Sequence, residues 1–132
     1  MVADLVKKLA GVGVVCLMAG TPMFAGNLVI TPTFTAAGGH YNPFGKEHGL
    51  DNQNGPHAGD LPNLVVNGDG VGHLNATTDR VTISAGPATL FDSTAGAVGS
   101  ALIIHEHEDD QVTNVGNGGS LGRIACGVIE AD

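Results

Sequence analysis

Three histidines and one aspartate stand close together in a segment rich in glycine, proline and asparagine. They are His40, His48, His57 and Asp60. A segment of this composition does not form a helix, so a loop carries these side chains and can wrap them around one ion. Three imidazoles and one carboxylate make a tetrahedral donor set for a divalent metal, and zinc fits best. The spacing therefore predicts a zinc site in a long loop.

The elements that position this loop must be short strands. The chain has 132 residues, 21 of them glycine, with no Trp, one Tyr and four Phe. Val, Ile, Leu and Ala therefore build the interior, and one domain is expected. This composition is typical of an all-β sandwich or barrel with long connections.

Alternating apolar residues and turn signals predict where the strands lie. We expect strands at 62–67, 71–77, 80–84, 100–105 and 123–129, with a turn at 68–70. Two long loops, 36–61 and 106–122, separate them. Loops of this length in a compact domain are usually functional. No helix is expected after residue 25.

The first 25 residues have the pattern of an export signal. Lys7 and Lys8 precede an apolar run at 9–19, and a segment resembling a cleavage site ends at Ala25. The run is too short to span a bilayer. The alternative is a buried or frayed N-terminal helix, or a wrongly assigned start codon. We expect residues 26–132 to form the mature domain, in the periplasm or outside the cell, with no stable membrane span.

The charge of the chain excludes two classes of partner. The formal net charge is −8, and only five residues are Lys or Arg. No basic patch can neutralise phosphates, so nucleic-acid binding is excluded, and an anionic membrane surface is equally unattractive.

Five sequence blocks resemble the copper,zinc superoxide dismutase family. They are His40-Tyr-Asn-Pro, His48-Gly, His57-Ala-Gly-Asp-Leu-Pro-Asn, Ile104-His-Glu with Asp109-Asp, and Gly122-Arg-Ile-Ala-Cys-Gly-Val. The blocks occur in the family's order, with nearly its spacing, from about Ala36 to Ile129. The resemblance implies a Greek-key β-sandwich or barrel of that type, incomplete on its N-terminal side. It also implies an oxidoreductase that converts superoxide, a small anion, into oxygen and hydrogen peroxide at a copper and zinc centre.

The resemblance also implies roles for the loop histidines. By this likeness, His40 bridges copper and zinc. His48, His57 and Asp60 complete the zinc site. The loop that first reads as a generic zinc site thereby becomes half of a two-metal centre.

The resemblance assigns further roles in the second half of the chain. His105 matches a copper ligand at a strand end. Asp109 matches a carboxylate behind the metals that hydrogen-bonds a histidine on each side and so fixes the imidazole tautomer. Arg123 matches the arginine that receives superoxide, and no other Lys or Arg follows Arg80.

Copper ligation departs from the family pattern. The family's other two copper ligands form a His-x-His pair before the zinc loop, but no histidine precedes His40. Only His40 and His105 of the copper set remain. His107, at strand spacing from His105, is either a makeshift copper ligand or a solvated loop histidine. His73 stands alone, and we expect it to be structural or exposed.

Two more departures concern the cysteines and the second loop. In the family, the cysteine matching Cys126 pairs with one shortly before the zinc loop. Here the only other cysteine is Cys16, in the apolar head, so removal of the head leaves Cys126 unpaired. The loop at 106–122 has four acids and no lysine, which weakens the steering of an anion.

Two functions stay open on the sequence alone. The first is an exported superoxide dismutase, whose two missing copper ligands come from a longer true sequence or a partner subunit. The second is a non-enzymatic zinc-binding β-domain of the same fold without a competent copper site. Association into a homodimer is compatible with either.

Overall fold

A four-stranded antiparallel sheet organises the computed structural model, which describes residues 34–83, 85–91 and 100–129 together with the strand segments Lys7–Lys8 and Gly13–Ala19. The strands are β1 (Lys7–Lys8), β2 (Gly13–Ala19), β3 (Asp60–Leu64), β4 (Val71–Gly72), β5 (Ser100–His105) and β6 (Arg123–Ile129). The sheet order is β3-β2-β5-β6, and β1 pairs with β4. Within the described residues the helices are two single 3-10 turns, Thr35–Ala37 and Asn117–Gly119, which confirms the all-β prediction.

Strand β5 is buried on both of its faces. Successive side chains of a strand point to opposite faces, so alternate residues of β5 enter two apolar clusters. Ala101 and Ile103 pack with Ala37 on one face. Ile104 enters the larger cluster on the other face, which contains Leu61, Leu64, Leu74, Leu90 and Ala125. The apolar run of this strand is thus explained by burial on two sides.

The predicted strands at 100–105 and 123–129 are confirmed with their bounds. The strand predicted at 62–67 lies instead at Asp60–Leu64, so it begins at a predicted metal ligand. Among the described strands, β3 lies at the edge of the sheet and pairs with β2. An edge position tolerates Pro62, which lacks a backbone N–H.

The strand predicted at 71–77 was too long. Only Val71–Gly72 is a strand, and its partner is Lys7–Lys8. The turn at 68–70 is present, because Asn67 N donates to Val71 O at 2.9 Å and the Asn67 side chain accepts from Asp69 N and Val71 N.

The strand predicted at 80–84 was wrong within its described residues. A single bridge between Thr82 and Thr89 replaces it. Thr82 N donates to Ala88 O and Leu90 N donates to Thr82 O, both at 2.9 Å. Local turn bonds therefore take the backbone groups that a sheet ladder would have used.

The first long loop is tied to the core next to His40. The Tyr41 ring packs against the larger apolar cluster, and its hydroxyl donates to Thr89 O at 2.9 Å. The Tyr41 carbonyl accepts from Gly59 N at 2.9 Å, which joins the two ends of the loop. The part of the loop without helix or strand, residues 41–59, is thus joined at its two ends.

Strand β2 lies within the segment predicted to be an export signal. It pairs with β3 on one side and β5 on the other.

Cys16 on β2 and Cys126 on β6 both pair with Ile103, from opposite sides of β5. Two strand spacings, about 9.5 Å, exceed the Cα separation of a disulfide. The export signal stays a prediction. Within the described residues, no helix is long and apolar enough to cross a membrane.

Candidate metal centre

The four predicted zinc ligands converge on one point. Each of His40, His48, His57 and Asp60 offers a ligand atom, and these atoms lie within 4.8 Å of one another. The Nδ1 atoms of His40, His48 and His57 lie 3.0, 3.1 and 3.2 Å from Asp60 Oδ1. Ligands around a tetrahedral ion with bonds of about 2.0–2.1 Å stand roughly 3.3 Å apart. The donor set therefore fits a single zinc-sized ion.

Backbone donors fix the carboxylate of Asp60. Its Oδ2 accepts hydrogen bonds from Gly49 N at 2.9 Å and His57 N at 3.0 Å. The Asp60 carbonyl accepts from Arg80 Nη2 at 2.5 Å. These bonds leave Oδ1 to face the three imidazoles. Sequence reasoning missed Arg80, because nothing in its spacing marks it as a partner of the loop.

The buried charges of the centre stabilise one another. Burial opposes the charge of Asp60, but hydrogen bonds from His40, His48 and Gly49 N outweigh it and lower the pKa of Asp60. Burial likewise opposes the charge of His48, but bonds to Asp109 and Asp60 outweigh it and raise the pKa of His48 to about 9. Burial and the charges of His40 and His48 lower the pKa of His57.

Asp109 connects this centre to the second long loop. His48 Nε2 donates to Asp109 Oδ2 at 2.6 Å, which leaves Nδ1 to face the ion site. Asp109 Oδ1 accepts from Gln111 N at 2.7 Å, and the Asp109 backbone exchanges two bonds with the Asn63 side chain. The predicted bond from Asp109 to one loop histidine is present. No second histidine contacts Asp109 within the described residues.

Hydrogen bonds of asparagine side chains connect the two long loops. Asn52 Nδ2 lies 3.0 Å from His48 O and 2.9 Å from Val112 O, as donor to both. Asn114 Oδ1 accepts from His48 N at 2.9 Å. Sequence reasoning missed both residues, because asparagine is common in glycine-rich loops and carries no signal of its partner.

His105 and His40 lie close together, and each has a buried ring nitrogen without a hydrogen-bond partner. His105 Nδ1 donates to Leu121 O at 3.1 Å, so the lone pair is on Nε2. The Nε2 atoms of His105 and His40 are buried without a hydrogen-bond partner, and the ring centroids are 5.8 Å apart. Burial lowers the pKa of His105 and favours the neutral ring that binds metals. Two buried imidazole lone pairs suit a copper ion.

Arg123 lies beside His105, its register partner on β5. Its Nη1 donates to Phe34 O at 2.9 Å and its Nη2 to Gly38 O at 2.6 Å. A cleft of about 580 Å³ opens here and is lined by Thr35, Gly38, Glu106, Leu121, Gly122, Arg123 and Ile124. A fixed guanidinium therefore faces an open cleft next to the histidine pair.

The remaining candidates lie outside this centre. β5 ends at His105, and His107 follows in a bend with an exposed side chain. His73 is exposed. Cys126 is a free cysteine on β6 whose residue surface is largely exposed, and partial desolvation of its thiol raises the pKa.

Zinc binding should depend steeply on pH because zinc displaces a proton from His48. A pKa raised from 6.5 to about 9 means that this imidazolium stabilises the metal-free fold fully below pH 6.5 and loses that effect as the pH rises through 9. The dissociation constant for zinc should fall roughly tenfold per pH unit between about pH 7 and 9. Chelator competition measures it. Asp109→Asn should flatten the slope, and an equal slope in this variant would contradict the assignment.

Gly49→Ala should weaken zinc binding. A Cβ at Gly49 would overlap the Gln111 backbone, and the φ of +112° already disfavours a side chain. Gly49 N must also stay at Asp60 Oδ2. We expect a loss of roughly tenfold or more in zinc affinity. Gly45→Ala is the matched control, since its φ is +62° but its Cβ would meet nothing within 4 Å. Equal affinities for the two variants would refute this account.

Known proteins share these features. The model of the copper/zinc superoxide dismutase family matches residues 24–129. Superoxide dismutase (Cu-Zn) 2 of Aquifex aeolicus is 44% identical over 99 residues, which is 74% of this chain and 55% of that protein. The superoxide dismutase-like protein YojM of Bacillus subtilis is 43% identical over 101 residues, covering 76% of this chain and 49% of that protein.

Solved structures agree with the sequence comparisons. The crystal structure of a SOD-like protein from Bacillus subtilis has a TM-score of 0.74 at 35% identity, covering 96% of this chain and 77% of that chain. The Cu/Zn superoxide dismutase of Brucella abortus has a TM-score of 0.64 at 26% identity, over 96% of this chain and 77% of that chain. The chain spans about half the length of the curated relatives it matches. The family match includes both long loops and the strands β5 and β6, and it spans most of the chain. This chain therefore belongs to the copper/zinc superoxide dismutase family.

Proposed function

We propose that this chain carries a superoxide dismutase centre, which converts two superoxide ions and two protons into oxygen and hydrogen peroxide. One observation carries the proposal. The Nε2 atoms of His40 and His105 are buried without a hydrogen-bond partner, the two rings stand 5.8 Å apart, and the charge of Arg123, the register partner of His105, acts on the His105 ring. Metal ligands and an anion-binding group thus meet at one place, as this redox reaction of a small anion requires.

The zinc half would be held by His40 Nδ1, His48 Nδ1, His57 Nδ1 and Asp60 Oδ1. The Nε2–H of His48 is bonded to Asp109 Oδ2 at 2.6 Å, which fixes its tautomer and the direction of Nδ1. The Nδ1 of His40 is committed to this side, so its Nε2 is directed away from it. One imidazole can therefore face both metals.

The copper half would be held by the Nε2 atoms of His40 and His105. Copper, when bound, supplies the one-electron exchange with superoxide. The chain supplies the environment: the bond from His105 Nδ1 to Leu121 O fixes the ring. We propose that further copper ligands are donated from a longer native sequence or a partner subunit, since no histidine precedes His40 here.

Arg123 would bind the superoxide anion next to the copper. Its two terminal nitrogens are held by loop carbonyls, so its charge is fixed in the cleft. This fixed charge offsets an otherwise acidic surface, since the chain has a net charge of −8. Attraction of the anion is thus local to the cleft and adds little long-range steering.

The alternative function is a zinc-binding β-domain without dismutase activity. The observation that favours it is an imbalance between the two halves of the centre. Four donors converge on the zinc side, while within the described residues two histidines face the copper side. A relative with 43% identity is itself named superoxide dismutase-like.

Metal content and superoxide consumption together distinguish the two functions. In protein of native length and native assembly, we expect one zinc and one copper per chain and catalysed loss of superoxide. His105→Ala should keep zinc and lose copper, while Arg123→Ala should keep both metals and lower the rate roughly tenfold or more. His73→Ala is a control for removal of an exposed histidine. One zinc, no copper and no activity in the unaltered protein would select the alternative.

We also propose that the protein is exported and that residues 1–25 are removed after Ala25. Because β2 pairs with both β3 and β5, this removal requires the edges of those two strands to pair anew in the mature protein. The lysine pair and apolar run support this, and a relative from Onchocerca volvulus, 36% identical over 103 residues, is named an extracellular superoxide dismutase. The mature protein should then start at Gly26 by intact mass. A secreted or periplasmic protein that retains Gly13–Ala19, the segment of β2, would contradict cleavage.

A further inference from the structure

Phe34 has a backbone conformation that bulky residues rarely adopt. Its φ of 46° and ψ of 36° lie in the left-handed region. A non-glycine residue stays in that region only where its surroundings hold it there. The side chain supplies such a hold, since it packs against the apolar cluster of Ala37, Ala101 and Ile103.

The carbonyl of Phe34 is a fixed point for Arg123. It accepts from Arg123 Nη1 at 2.9 Å and from Ala37 N at 3.1 Å. Gly38 O accepts from Arg123 Nη2, and Gly38 N donates to Thr35 O at 3.0 Å. One 3-10 turn therefore carries both carbonyls as a unit. The orientation of the guanidinium depends on where this turn sits.

The turn is placed by the strand next to Arg123. Phe34 packs against a cluster that includes Ala101 and Ile103 of β5, and Arg123 begins β6 beside β5. The Phe34 side chain and Arg123 are thus both positioned by strand β5. No disulfide fixes the turn within the described residues, where Cys126 is a free cysteine.

We propose that the Phe34 side chain is a positioning anchor for Arg123. By packing on β5, it sets the two carbonyl oxygens that hold the guanidinium towards the cleft. The inference rests on the proposed role of Arg123 in binding a small anion. Because the anchor is apolar packing, the geometry of Arg123 should not depend on the thiol redox state.

The test uses zinc-loaded full-length protein and two readouts that do not require catalysis. The first is the NMR signal of the Arg123 guanidinium. Its hindered rotation reports the hydrogen bonds to Phe34 O and Gly38 O. The second is the affinity for inorganic phosphate, measured by isothermal titration calorimetry, which also applies to variants that lack Arg123. Phe34→Ala should free the rotation and weaken phosphate binding roughly tenfold. Phe34→Leu should restore both readouts, and a reducing agent should change neither.

Two controls separate anchoring from general loss of stability. Phe44→Ala removes the same type of ring from the first long loop, at a residue that is 51% exposed. Leu90→Ala removes a buried side chain from the other apolar cluster and destabilises the fold without touching the turn. Both should keep the guanidinium signal and phosphate affinity of the unaltered protein.

The outcomes are distinct for the anchor and for the proposed function. Unchanged rotation and affinity in Phe34→Ala would overturn the anchor. Loss of hindered rotation in Leu90→Ala as well would overturn it too, because the effect would then follow stability. If Arg123→Ala binds phosphate as well as the unaltered protein does, the proposed anion site fails, while the rotation readout in Phe34→Ala still decides the anchor.

Discussion

The carboxylate of Asp60 is the interaction on which the candidate centre depends. Oδ1 meets three imidazole nitrogens within 3.2 Å, and Oδ2 accepts two backbone N–H groups from the loop. A buried carboxylate is costly unless it is paired in this way. Asp60 is also the first residue of β3. The sheet therefore fixes the position of the Asp60 carboxylate. The carboxylate in turn binds backbone N–H groups of a loop that forms no strand pairs.

Asp109 extends the same constraint to the second loop. Its side chain binds His48, and its backbone binds the side chain of Asn63 on β3. Space for this carboxylate depends on Gly118, where a Cβ would overlap Asp109 Oδ1 and where φ is +64°. The second loop also supplies Leu121 O, which orients His105. The loop at 106–122 thus orients His48 through Asp109 and His105 through Leu121 O.

The sequence predicted the parts of this structure that depend on side-chain type and spacing. The loop donors are a recognisable set, and their convergence was expected. Strands β5 and β6 were predicted with their bounds, because their apolar runs reflect burial. The predicted strand at 80–84 failed because Thr82 found local turn partners, which propensity does not reveal. Arg80, Asn52 and Asn114 were missed because each bonds a backbone carbonyl or amide 20 or more residues away in the sequence.

The electrostatics of the centre show how the loop can be ordered before an ion arrives. With a pKa raised to about 9, His48 is protonated at neutral pH and pairs with Asp60 and Asp109 at once. A zinc ion held here would take the place of the proton on Nδ1, and the bond from His48 Nε2–H to Asp109 would be kept. Positive charge at this point is therefore supplied either by a proton or by the metal. Because the same carboxylates are satisfied in both states, the ligands need little rearrangement to bind, and the geometry of the loop is set by the fold as much as by the ion.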